Sequence, residues 1–341
     1  MADYDSVNGT DDDNITSVNG VAKSSIESIN GATPGASHTP LWTGVGRDGR
    51  VMYSSDALSW AEYDSPPGST DDYWDISFGK DGSGGPRWII STNTTSPAEL
   101  RYSPDPTDSS TWSNIDDLDG ETSRTVEYSA TGTWIAGDGS GKVFRSTDGG
   151  DSWTEITDVA SGGNMLCLAT DGAGTWLCGG TSKVLKSYDD GLNWYVSQTG
   201  IGETNGIEYN NGVWFAASDT TTSYRATTIA HSDTTDSWTA VTGISEPMWA
   251  ICHISGDTWM AGPKNRYPYL STDNCASWTQ VGVASPGPGQ IYALASDGTT
   301  VVLGNKSNKI YTSTDNGATW TLRHTSTKDV LVIDYNKVKP F

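Results

Sequence analysis

One eight-residue string returns along most of this chain at nearly constant intervals, and that periodicity constrains the fold more than any other feature. Ser146-Thr147-Asp148-Gly149-Gly150-Asp151-Ser152-Trp153 recurs as Ser187-Tyr188-Asp189-Asp190-Gly191-Leu192-Asn193-Trp194. Two further near-complete copies are Ser271-Thr272-Asp273-Asn274-Cys275-Ala276-Ser277-Trp278 and Ser313-Thr314-Asp315-Asn316-Gly317-Ala318-Thr319-Trp320. Degenerate copies end at Trp60, Trp112 and Trp238. The repeated aspartates are Asp56, Asp105, Asp148, Asp189, Asp233, Asp273 and Asp315, at spacings of 49, 43, 41, 44, 40 and 42. A fixed period of 20–50 residues marks a repeat architecture.

Each period contains four short alternating runs rich in β-branched and aromatic residues, separated by Gly, Asp and Ser. In the third period they are Thr125-Val126-Glu127-Tyr128, Thr133–Gly137, Lys142–Arg145 and Trp153–Ile156. Four antiparallel strands every ~42 residues predict the blade of a β-propeller. The fold class expected is therefore all-β: seven four-stranded blades over residues 40–341. The first period lacks an inner strand, and Asp329–Tyr335 is an inner strand with no blade after it. The C-terminal strand is thus expected to complete the first blade and close the ring.

The octapeptides resemble the Asp-box, or bacterial neuraminidase repeat, with its Ser-x-Asp-x-Gly-x-Thr-Trp pattern. That resemblance covers residues 41–335. It implies that the turns join the third and fourth strands at the blade periphery, with the aspartates in structural roles. The family includes sialidases, xyloglucanases, sortilin-like receptors and photosystem assembly factors, so the likeness speaks to fold more than to function.

Seven of the fifteen tryptophans belong to the octapeptides, and six more recur in the second strand. Only Trp74 and Trp249 fall outside that lattice, which weakens a sugar-binding reading. A sialidase would need three arginines on a carboxylate, a tyrosine nucleophile and acidic partners. No Arg-Ile-Pro motif stands near the first blade, and the four histidines have no nucleophile context. No catalytic residue, metal or cofactor is expected. A formal charge of -22, from Asp+Glu 42 against Lys+Arg 20, excludes an ordinary nucleic-acid surface. No apolar run is long enough to span a membrane, and the N-terminus does not read as a signal peptide. Cys167 and Cys178 are placed to face each other across a hairpin, with free thiols expected.

Six residues before the repeated aspartate a basic residue stands in four blades: Arg50, Lys142, Lys183 and Lys309. They begin the third strand, on the face opposite the octapeptides. The longer loops Thr92–Ala98, Asp219–Ala226 and Pro263–Pro268 fall there too and supply Tyr224, Arg225, Arg266 and Tyr267. These eight residues are the binding candidates, set against a plainer reading in which the cations pair with neighbouring carboxylates.

Residues 1–39 form a separate arm. Ser-Val-Asn-Gly, Ser-Val-Asn-Gly and Ser-Ile-Asn-Gly begin at Ser6, Ser17 and Ser28, a period of 11. Asn-Gly after an apolar residue favours short extended pieces with tight turns. The arm resembles N-terminal segments of tailed-bacteriophage virion proteins. The resemblance implies a non-enzymatic virion structural protein of a tail, fibre, neck or capsid appendage. Its partners would be other virion proteins through the arm, with a further protein or host-surface glycan on the propeller, and its location the phage particle. The alternatives are a sialidase-like glycan hydrolase and a photosystem-type assembly factor.

Overall fold

The computed structural model describes residues 40–336 except 68, 94–99, 116–117, 119–121, 158, 160–162, 265–266 and 283–288, together with four two-residue strands nearer the N-terminus. The chain divides into two compact units, residues 1–39 and 40–341. In the first, Ser6–Val7 pairs with Thr10–Asp11 and Ser17–Val18 with Val21–Ala22, both antiparallel. Each pair flanks an Asn-Gly of the 11-residue repeat. The third copy, at Ser28, lies outside the described residues.

The second unit is a ring of seven four-stranded antiparallel sheets. Blade 3 shows the pattern. Ser123–Tyr128 is innermost, followed outward by Trp134–Asp138, Val143–Ser146 and Thr154–Ile156. The innermost strands of blades 2 to 7 are Tyr73–Lys80, Ser123–Tyr128, Met165–Thr170, Thr204–Asn210, Met248–Ser255 and Ile291–Ser296. In blade 1 that place is taken by Val330–Tyr335, which pairs with Trp42–Gly46 in the register Val330↔Gly46 to Tyr335↔Trp42. The C-terminal strand therefore closes the ring, as the sequence predicts, and no sheet edge is left open at the junction. The two segments approach closely. A Cβ on Gly46 would lie 1.9 Å from the Asp329 carbonyl oxygen. The junction is held further by Arg47 on Asp329 at 3.1 Å and by Lys328 on Asp48 at 2.6 Å.

Successive blades bury the tryptophan lattice between them. Trp42, Trp88, Trp134, Trp176, Trp214 and Trp259 of the second strands are all buried, as are Trp153, Trp194 and Trp278 of the octapeptides. Large flat rings suit the space between stacked sheets, and each removes 150–250 Å² from water.

The octapeptides join third to fourth strands and consume their own polar groups. In blade 3 the Ser146 hydroxyl donates to Asp148 at 2.7 Å, and the Ser152 amide and hydroxyl donate to the same carboxylate at 3.0 and 2.5 Å. Asp189, Asp273 and Asp315 repeat this arrangement. Asp56 and Asp105 accept backbone amides of their own turns. Blade 5 departs from it. There Asp236, three residues after Asp233, is the buried carboxylate, accepting from the Ala230 amide at 2.7 Å and the Ser197 hydroxyl at 2.6 Å.

Each turn of blades 3 to 6 is gripped by a cation from the blade before. Arg87 donates to the Gly149 carbonyl at 2.8 Å, Arg145 to the Asp190 carbonyl at 2.7 Å and Arg225 to the Asn274 carbonyl at 2.8 Å. Lys186, fully buried, reaches the Ala230 and Thr234 carbonyls and Asp236 at 2.8–2.9 Å. Thus the octapeptides bind blade to blade as well as closing themselves.

Candidate functional site

Strand alternation gives the ring two distinct faces. First-to-second and third-to-fourth turns, octapeptides included, lie on one. Fourth-to-first and second-to-third connections lie on the other. The chain enters the ring at Leu41 and completes its last strand at Tyr335, both on the octapeptide face.

On the opposite face every inner strand carries a register slip against its neighbour, always one residue into the strand. The slips fall between Tyr73/Asp75, Ser123/Thr125, Met165/Cys167 and Thr204/Gly206 in blades 2 to 5. They fall between Met248/Ala250, Ile291/Ala293 and Val330/Val332 in blades 6, 7 and 1. The residue expelled from the ladder is Trp74, Arg124, Leu166, Asn205, Trp249, Tyr292 and Leu331 in turn. A bulge re-aims a side chain and is common at the rims of closed sheets. Seven at one level form a collar around the end of the central channel.

Two pairs of adjacent collar residues touch. The Arg124 guanidinium lies 4.5 Å from the Trp74 ring centre, and Arg47 approaches the same ring at 6.0 Å. Trp249 stacks on Tyr292 at 4.6 Å and 14°, with the Lys264 ammonium 5.2 Å from its ring. The two tryptophans left over by the packing lattice thus stand in the collar. Their signal in the sequence was their exclusion from the repeat. The shared bulge that collects them left no such trace.

Two residues further along each strand, about 7 Å at the usual rise, stands an aliphatic ring: Ile76, Val126, Leu168, Ile207, Ile251, Leu294 and Ile333. From this ring a cavity of about 710 Å³ follows the channel to the octapeptide face. Its lining includes Asp75, Glu127, Asp171, Glu208, Asp297 and Asp334, but none of the collar residues. Two of these carboxylates link neighbouring blades. Asp75 accepts from the Thr125 hydroxyl at 2.8 Å and the Val126 amide at 3.1 Å, and Glu208 from the His253 amide at 3.2 Å. Burial pushes the Asp75 carboxyl up to about 7, against the pull of those hydrogen bonds, and nearby Asp334 adds to the rise. The channel is acidic towards one face and collared by cations and aromatic rings on the other.

The sequence-derived candidates are not brought together. Arg50, Lys183 and Lys309 do begin third strands on the collar face, and Lys142 directly precedes one, but all stand two strands out from the channel. Arg50 is buried and pairs with Asp64 at 2.9 Å and Glu62 at 3.5 Å. Lys142 pairs with Glu155 at 3.4 Å. Tyr224 and Arg225 are not loop residues: they form the third strand of blade 5, Tyr224–Ala226. Tyr224 packs into the core cluster around Trp214, and Arg225 is spent on Asn274. Tyr267 lies half-buried just before the third strand of blade 6, and Arg266 is outside the described residues.

The cysteines do not pair. Cys178 registers with Leu168 and Cys167 with Gly179, and all four thiols are free. Burial raises all four above the ordinary thiol range, so none supplies a thiolate nucleophile at neutral pH. Among the described residues no three His, Cys, Asp or Glu side chains are grouped to hold a metal ion. Nor is any helix there long and apolar enough to cross a membrane.

No family model matches the chain, and no curated protein matches it. Solved structures do. A structure of YCF48 bound to D1 peptide has a TM-score of 0.54 at 18% identity, covering 73% of this chain and 81% of that one. YCF48 from Cyanidioschyzon merolae has a TM-score of 0.58 at 16% identity, covering 75% and 86%. The computationally designed Ika8 protein has 0.58 at 10% identity, covering 86% and 90%. At these identities the likeness establishes the propeller fold.

Proposed function

We propose that this chain is a non-enzymatic binding propeller of a larger assembly. In this reading it is a virion structural protein of a tailed phage, attached through residues 1–39, that meets its partner through the collar face. The octapeptide repeats are read as Asp-boxes with a structural role. The observation that carries the proposal is the opposition of the two faces. The chain passes into the propeller on the octapeptide face, beside strands whose polar groups are already consumed, while the bulged side chains gather on the other.

The arginines support a non-catalytic reading. Arg87, Arg145 and Arg225 are spent on octapeptides, Arg47 and Arg50 on carboxylates, and Arg101 on the Ser65 carbonyl and the Tyr73 hydroxyl at 2.7 Å. Of the other three, Arg124 stands in the collar, Arg323 donates to the Thr312 hydroxyl at 2.8 Å on the outer strands of blade 7, and Arg266 is outside the described residues. A second reading, a photosystem-type assembly factor, draws on the likeness to YCF48, one structure of which holds a D1 peptide. Both readings use a propeller that engages a protein segment.

The test is deletion of residues 1–39. The remaining propeller is expected to stay folded and monomeric while no longer joining its parent particle. Normal incorporation of the deleted protein, or turnover of sialylated or β-glucan substrates by the full chain, would overturn the proposal.

A further inference from the structure

The collar contains more unmet hydrogen-bonding capacity than a surface rim needs, and within the ring of bulged residues it is of one kind. The indole N–H of Trp74, the Nε–H of Arg124 and the side-chain amide nitrogen of Asn205 are each buried with no acceptor among the described residues. All three are donors. A fourth lies one strand out. Asn305 is 1% exposed and pairs with Ile291 at the start of the inner strand of blade 7. Its Oδ1 accepts the Ser307 and Lys309 amides at 3.0 Å, which fixes the amide's orientation and leaves Nδ2 without an acceptor. Outside the bulged residues the unmet groups nearby are Glu246 Oε2, an acceptor just before the inner strand of blade 6, and the hydroxyls of Ser123 and Thr204, which can donate or accept. A buried donor without an acceptor costs more than the bond it would make is worth. The side chains of Trp74, Arg124 and Asn205 are only partly buried although these nitrogens are covered, so a ligand that meets the side chains reaches the donors by turning them.

The aromatic rings narrow the chemistry. Trp249 has Tyr292 stacked on it and Lys264 over it, and Trp74 has Arg124 over it and Arg47 near. Both indoles thus already carry ring or cation contacts from the protein itself. What remains is a set of N–H donors and cations beside the side chains of Leu166 and Leu331, with an acidic channel below that repels an anion from passing deeper.

We propose that the collar is a recognition site for a carboxylate-bearing segment of a partner protein, with the touching pair Arg124 and Trp74 donating to the carboxylate, Asn205 adding a donor two blades on, and Leu166, on the blade between, taking an adjoining apolar side chain. This rests on the reading above that the collar face meets the partner, and adds the chemistry by which it does so.

The experiment follows the indole N–H resonances of the full-length, 15N-tryptophan-labelled protein, with Trp74 assigned from a Trp74→Phe variant. It is titrated with acetyl-Leu-Glu-Leu-amide, with acetyl-Leu-Gln-Leu-amide and with a sulfated disaccharide. The Glu peptide is expected to move the Trp74 signal with an apparent affinity at least several-fold above that of the Gln peptide. Arg124→Gln should abolish that preference, and an Arg323→Gln control far out on blade 7 should leave it intact. Equal responses to the two peptides would overturn the carboxylate assignment while leaving a docking face in place. A Trp74 response to the sulfated disaccharide alone, or to none of the three, would overturn the site.

Discussion

Leu41 and Asn336 exchange two hydrogen bonds across 295 residues of sequence. The Leu41 amide donates to Asn336 Oδ1 at 2.6 Å, and the Asn336 amide donates to the Leu41 carbonyl at 3.1 Å. They stand at the end of the closure ladder, where the first strand laid down meets the last.

Asn336→Ala should therefore cost about 1–3 kcal/mol, because the buried Leu41 amide loses its acceptor. Urea denaturation would measure it. Removing Val330 onward should have a larger effect, leaving blade 1 without its inner strand and the ring unable to close. A truncated chain with an unaltered midpoint would contradict the closure energetics.

Lys186 and Asp236 form an ion pair at 2.9 Å that is fully sequestered between blades 4 and 5. Lys186→Met leaves Asp236 as a buried unpaired charge, with an expected loss of about 3–5 kcal/mol. The double variant Lys186→Met, Asp236→Leu should recover part of that loss. A double variant no better than the single one would place the loss in the two carbonyls Lys186 also holds.

The octapeptide carboxylates predict a weakening in acid. Asp148 is held down to about 2, the hydrogen bonds from Ser152 and Ser146 outweighing the burial that would raise it, and Asp189, Asp273 and Asp315 are lowered in the same way. As pH falls below the unfolded value of 3.8, the unfolded chain takes up protons that the folded turns refuse. Stability present above 3.8 should be lost progressively towards about 2. Unfolding free energies between pH 5 and 2 would show the slope, and replacing all four aspartates by asparagine should flatten it.

Asp75 runs the other way. Its folded value near 7 lies above the unfolded 3.8, so the folded protein keeps a proton that the unfolded chain releases. Its contribution is therefore full below pH 3.8 and is lost as pH rises through 7. Asp75→Asn should remove a decline in stability between about pH 4 and 7. The comparison needs only denaturation curves at pH 5 and pH 8, and an unchanged difference between them would exclude Asp75 as its source.

Gly46→Ala tests the close approach at the seam. A methyl group 1.9 Å from the Asp329 carbonyl oxygen forces the two strands apart. The expected effect is a loss of several kcal/mol, of the order of severe overpacking, read as a lowered urea midpoint.

The sequence by itself determined the blades, their number and the way the ring closes. Those follow from local rules: a two-residue alternation, turn residues at fixed places, and a side-chain motif that satisfies its own turn within eight residues. Chain-distant pairings such as Val330 with Gly46 were still legible, because one strand was missing at the start and one was left over at the end. The collar was decided only by the tertiary structure. Trp74, Arg124 and Asn205 share no residue type, and they join one collar because each is expelled by the same bulge at the same level of its own inner strand. Arg225 shows the converse. Its sequence neighbourhood reads as a long loop, yet its guanidinium is committed to a carbonyl 49 residues away, in the turn of the next blade. Periodicity records what every blade must repeat, whereas a binding surface is built from the positions at which the blades differ, and their meeting is a matter of ring geometry.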